Sequence, residues 1–134
     1  MNDEYTSKLG DYFRSKGAEV AYLFGSRTDG RHQPESDYDI AVLWPEPFDP
    51  LEGFAWAARM EPELRTLCGG EVDLVFLNQA SPLLTFEVIR HGKVLYSKDE
   101  EKRIRRELRA RAAYEDYLHF QSFFIQALRE DLAS

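Results

Sequence analysis

The sequence predicts an α/β (α+β) fold, with a short mixed β-sheet flanked by helices and a long C-terminal helix. Three observations carry that expectation. Short apolar runs rich in strand formers alternate with segments of helical period. No Gly or Pro falls within the strand runs, and Gly or Pro marks the end of each of the first two. The last stretch, 99–132, is helical in pattern and contains neither Gly nor Pro.

Taken in order, Tyr5, Leu9, Tyr12 and Phe13 form one apolar stripe of a first helix, which Gly17 is placed to end. The run "EVAYLF" is a strand that stops at Gly25-Ser26, and residues 27–36 are a polar loop. "DYDIAVLW" is a second strand, closed by Pro45 and Pro47. Asp49-Pro50 caps a helix whose apolar face is read as Leu51, Phe54, Ala55 and Ala58, with Pro62 expected to kink or split it. "EVDLVFLN" is a third strand after Gly69-Gly70. Ser81-Pro82 opens a helix ending at Gly92, and "KVLYS" is a short fourth strand.

At 134 residues, 43% of them hydrophobic, the chain has the size and apolar share of one globular domain, expected to span 1–134 with a core over about 1–98. No apolar run approaches the roughly 18 residues of a membrane span, and the N-terminus lacks the pattern of a signal peptide. One cysteine, Cys68, excludes an internal disulfide and a Cys-rich zinc site, so a cytoplasmic setting is expected. A net charge of −7 argues against broad nucleic-acid binding, though not against one nucleotide held through a metal.

The segment "FGSRTDGRHQPESDYDIAVLW" carries the chemistry. Alternation along a strand puts Asp37 and Asp39 on one face, roughly 6–7 Å apart, where they repel unless a cation lies between them. Hard divalent ions with oxygen ligands meet that need, and magnesium commonly takes one or two carboxylates plus substrate phosphates. Tyr38, Ile40 and Val42 take the opposite face. Gly25 lets a phosphate approach the backbone and Ser26 adds a hydroxyl donor, in a turn whose amides form an anion-binding concavity. Asp73 sits within the third apolar run, between Val72 and Leu74. If that strand lies beside the second, three carboxylates meet at one sheet edge, an arrangement suited to two metal ions and in-line displacement at phosphorus. Each piece alone is commonly a plain turn or a solvent-facing acid; their succession along adjacent strands is what points to a site.

Gly25-Ser26, ten residues, then Asp37-Tyr38-Asp39 resembles the signature of the DNA polymerase β-like nucleotidyltransferases, and "SDYDIAVL" is similar to the minimal MNT-type members. The resemblance spans about residues 1–98 and implies a nucleotidyltransferase-like sheet. It further implies magnesium, two ions, on Asp37 and Asp39, with Asp73 completing the site and helping to activate an acceptor hydroxyl. Gly25 and Ser26 match positions that hold nucleotide phosphates. The implied reaction is attack of that hydroxyl on the α-phosphate of a nucleoside triphosphate such as ATP. Arg27 is either a solvated loop residue or the group that neutralises the leaving pyrophosphate.

The chain has no evident acceptor-holding domain. In the MNT group the implied acceptor is a partner protein, a HEPN-domain ribonuclease toxin, with the MNT protein as antitoxin transferring AMP to a tyrosine within a hetero-oligomer. Two rivals remain at this stage. One is transfer to a small molecule such as an aminoglycoside; the other is an antitoxin that neutralises by binding alone. The C-terminal helix has six basic residues from Lys102 to Arg111, then Tyr114, Tyr117, Phe120, Phe123 and Phe124, an aromatic stripe suited equally to the domain's own core and to a partner. His32 is read as an exposed loop residue, His91 as favourable at a helix C-terminus, and His119 as unassigned.

Overall fold

The computed structural model describes residues 3–25 and 37–133, with side chains from residue 6 onward. Helix α1 (Asp3–Lys16) leads to β1 (Val20–Phe24). After the segment 26–36 come β2 (Tyr38–Leu43) and helix α2 (Pro50–Cys68). Strand β3 (Val72–Phe76) follows, then a 3-10 turn at Leu77–Gln79. Helix α3 (Pro82–His91), β4 (Lys93–Ser97) and helix α4 (Glu100–Ala133) complete the order.

The helix starts follow the expected chemistry. The Asp49 carboxylate accepts from the Leu51 amide at 3.0 Å, and the Ser81 hydroxyl from the Leu84 amide at 3.1 Å. In each case proline occupies the first helical turn, where its missing N–H has no helical partner to lose. Asp99 caps α4 in the same way, accepting from the Lys102 amide at 3.2 Å.

The four strands lie in the order β3-β2-β1-β4. β1 pairs antiparallel with both β2 and β4, while β2 and β3 are parallel, joined by α2 as a crossover. The sheet is mixed, as expected, and both of its faces are covered. On one, Leu23, Ile40, Val42 and Leu74 pack with Leu9 and Phe13 of α1 and with Met60 and Leu64 of α2. On the other, Val20, Tyr22 and Ala41 pack under Val88 of α3.

Two expectations for α2 are corrected. The face read as apolar points outward: Leu51 is 80% and Phe54 79% exposed, and Ala55 and Ala58 are exposed too. The buried residues are Gly53, Met60 and Leu64. Gly53 turns inward because its missing side chain admits the Phe48 ring; a Cβ there would stand 2.5 Å from Phe48 Cζ. Pro62 does not divide the helix, which runs unbroken through it. Proline removes only the bond to the Ala58 carbonyl, and both residues are exposed, so the helix loses that bond on its solvent-facing side.

The beginning of α4 is fixed to the sheet by a polar network. Tyr22 donates from its hydroxyl to Glu107 Oε2 at 2.8 Å, and Arg103 bridges Glu107 and Glu100. Burial, then the Glu107 carboxylate, pushes the Tyr22 hydroxyl pKa well above its ordinary value. Arg106 and Glu19 add an ion pair at 3.5 Å. At the far end of the sheet Asn78 ties β2 to the turn after β3. Its Oδ1 accepts from the Trp44 amide at 2.9 Å, and its Nδ2 donates to the Trp44 carbonyl and Glu46 Oε1, each at 3.0 Å.

Candidate active site

The parallel register of β2 and β3 sets Asp39 directly opposite Asp73. Both follow from strand alternation. Ile40 and Val42 are fully buried, so their neighbour Asp39 faces the other side, toward α3 and α4. Val72 and Leu74 are buried, so Asp73 between them stands exposed on that same side. Asp37, exposed, enters β2 two residues before Asp39. Because Asp73 is exposed, the apolar run around it involves no desolvated carboxylate.

On the other flank, β1 ends with Phe24 opposite Asp39 and turns at Gly25. Gly25 has φ +79°, and a Cβ built on it would lie 2.2 Å from Asp39 Oδ2 and 3.1 Å from its Cγ. Only glycine lets the main chain turn against this carboxylate. The geometry therefore places a backbone turn and two carboxylates from adjacent strands at one sheet end.

Electrostatically, Asp39 is the strained member. Burial raises its carboxyl pKa, and the nearby charges of Asp73 and then Asp37 raise it further. A cation between these groups would relieve the repulsion. The donors are all carboxylate oxygens, which suit a hard divalent ion. Among the described residues no three His, Cys, Asp or Glu side chains close around one point. An ion at this edge would thus take only part of its shell from the protein, as magnesium commonly does when substrate phosphates and water supply the rest.

Ser26, Arg27 and His32 lie outside the described residues. His91 ends α3 with its Nε2 3.7 Å from Glu87 Oε2, and His119 is exposed on α4; neither belongs to the carboxylate edge. Cys68 lies half-buried at the end of α2. A cavity of about 480 Å³ lined by Lys16, Trp44, Trp56 and Arg59 lies at the opposite end of β2 from the acids. Sequence reading missed the Tyr22–Glu107–Arg103 network; its one signal is the i, i+3 and i, i+4 spacing of Glu100, Arg103 and Glu107. No helix among the described residues is long and apolar enough to cross a membrane.

A family profile described as polymerase beta, nucleotidyltransferase matches residues 7–101. The protein adenylyltransferase MntA of Shewanella oneidensis is 33% identical over 104 residues, covering 78% of this chain and 69% of that protein. The protein adenylyltransferase MntA of Aphanizomenon flos-aquae is 37% identical over 81 residues, 55% of this chain and 53% of that one. A crystal structure of a toxin-antitoxin with AMP-PNP matches with TM-score 0.68 and 29% identity, over the whole of both chains. A complex of a tri-AMPylated Shewanella oneidensis HEPN toxin with MNT antitoxin matches with TM-score 0.66 and 27% identity, again over both whole chains. With its mixed sheet, its facing aspartates and these matches together, the chain belongs to the polymerase β nucleotidyltransferase family, as an MntA-like minimal member.

Proposed function

We propose that this nucleotidyltransferase is a cytoplasmic antitoxin that transfers AMP from ATP to a tyrosine hydroxyl of a HEPN-domain toxin, with magnesium. The observation that supports it most is the register of Asp39 against Asp73 beside Gly25. Relatives matched along the whole chain were crystallised with a nucleotide analogue and with an AMPylated toxin.

Asp37, Asp39 and Asp73 would hold the magnesium, two ions in this reading, which supplies positive charge against the phosphate oxygens and the departing pyrophosphate. Asp73, exposed at the edge, would accept the proton of the acceptor hydroxyl. The freed oxygen bonds to the α-phosphorus, the bond from that phosphorus to the bridging oxygen breaks, and pyrophosphate leaves with the electron pair. Gly25 keeps the turn clear of a side chain so that its backbone can approach phosphate; Ser26 adds a hydroxyl donor, and Arg27 a charge for pyrophosphate. Positioning and electrostatics carry the rate, since the chain offers no covalent nucleophile in this scheme.

The test is labelled ATP with magnesium and a purified HEPN-domain toxin. Native protein should label the toxin, and Asp39→Asn should bind it without labelling it. Labelling by Asp39→Asn at the native rate refutes the assignment. Full neutralisation by an Asp37/Asp39 double variant would instead favour binding alone, and labelling of an aminoglycoside without toxin would favour the small-molecule acceptor.

A further inference from the structure

At the end of β2 remote from the acids, three elements converge on a cavity of about 480 Å³, within the size range of small-molecule sites. Helix α2 supplies Trp56, Arg59, Met60 and Glu63, whose spacings of three and four put them on one helix face. Trp44, just past β2, and Lys16, the last residue of α1, complete the walls. Trp44 and Met60 are buried, and Trp56 is half-buried. The two indoles meet edge to face with ring centroids 5.3 Å apart, and they are the two tryptophans of the chain. Trp44 stands five residues beyond Asp39, about 17 Å at the rise of a strand, so this cavity is separate from the carboxylate edge.

The charges decide what such a cavity takes. Glu63 follows Arg59 by four residues, a spacing at which opposite charges on a helix ordinarily pair. Here Glu63 turns to α1 instead: its Oε1 accepts from the Tyr12 hydroxyl at 3.3 Å and lies 3.7 Å from Lys16 Nζ. The charge of Lys16 is thereby offset. Arg59 is exposed and has no ion pair or hydrogen bond among the described residues. In a chain of net charge −7, the cavity thus holds one uncompensated positive group beside two indoles. A guanidinium is a planar fork that matches a carboxylate through two parallel N–H···O bonds, and an indole offers a broad apolar surface to another ring. One positive charge suits a monoanion better than a doubly charged phosphate.

We infer that this cavity is a binding site for a planar aromatic monocarboxylate, its ring against the tryptophans and Met60 and its carboxylate on Arg59. Such a ligand is a different species from the nucleotide and the acceptor. The inference goes beyond the reading under Proposed function and does not depend on it.

The experiment titrates the isotopically labelled full chain with naphthoate and follows the two indole N–H cross-peaks by NMR. Both should shift and saturate, with Kd of about 1 mM or tighter for a ligand of this size. Naphthamide, of the same shape without the charge, and cyclohexanecarboxylate, charged without an aromatic ring, should each bind at least about tenfold more weakly. Arg59→Gln should weaken naphthoate at least about tenfold and leave the melting temperature unchanged, because the native side chain is exposed and unpaired. Arg59→Lys, which keeps the charge without the fork, should recover part of that loss. Naphthoate affinity of Arg59→Gln within about threefold of native overturns the inference. So does naphthamide binding as tightly as naphthoate, which would make the cavity a plain apolar cleft. Cross-peaks that drift without saturating overturn it as well, and so does their return to the free positions on adding magnesium-ATP, which would put the probe in the nucleotide site. Failure of the toxin to be labelled bears on the transferase reading alone, since no part of this site uses the carboxylates.

Discussion

Asp39→Asn separates the cost of assembling the carboxylates from their use. Neighbouring strands lie about 4.8 Å apart, so the paired Asp39 and Asp73 carboxylates sit at about 5 Å. Two like charges at that distance repel by about 0.8 kcal/mol in water and about 3 kcal/mol at an effective dielectric constant of 20. Asp73 is exposed and Asp39 only half-buried, so screening sets the result near the lower figure, about 1 kcal/mol. For a domain of this size that corresponds to roughly 3–5 °C. In EDTA at neutral pH, Asp39→Asn should therefore melt higher than native by that amount. Its folded pKa is raised, so ionised Asp39 opposes folding above that pKa, and the penalty fades as pH falls through it. The gap between variant and native should be widest near neutrality and close on acidification. Magnesium should stabilise native protein by about 1.4 kcal/mol at ten times its Kd and leave the variant unmoved. A variant no more stable than native in EDTA, or one equally stabilised by magnesium, would refute the crowding argument.

Three further outcomes follow from named contacts. Gly25→Ala must place a methyl group 2.2 Å from Asp39 Oδ2 at φ +79°. It should destabilise by about 1–3 kcal/mol and abolish labelling, with Asp39→Asn restoring part of the stability and none of the activity. Tyr22→Phe removes the 2.8 Å bond to Glu107 and should cost about 0.5–1.5 kcal/mol in urea unfolding, with labelling unchanged. Asn78→Ala removes three hydrogen bonds at the end of the sheet remote from the acids. Urea titration should show a loss of about 2 kcal/mol, and nucleotide binding should stay native.

Strand alternation made the sheet legible. Apolar Ile40 and Val42 required Asp39 to face the other way, and Val72 and Leu74 did the same for Asp73. The neighbouring of β2 and β3 entered only as a condition, because strand order depends on how the α2 crossover packs. The orientation of α2 was misread for a physical reason. Counting apolar residues favours Leu51 and Phe54, whereas the buried contact is made by Gly53 receiving the Phe48 ring, and a residue without a side chain adds nothing to such a count. Pro62 does not split α2, because one missing hydrogen bond on an exposed face leaves the rest of the helix ladder in place. The aromatic stripe of α4 was legible as a stripe, but its division into a packed Tyr114 and a bare Phe120–Phe124 pair depends on where α3 stops. Ser26 and Arg27 rest on the sequence pattern alone.

The parallel pairing of β2 with β3 has a consequence for synthesis. A chain emerging from the ribosome displays Asp37 and Asp39 well before Asp73, and the intervening α2 must form and fold back before the last acid reaches its place. A truncated or half-folded copy therefore has an incomplete acidic edge, and under the proposed reading full-strength nucleotide chemistry reports that β3 has docked on β2.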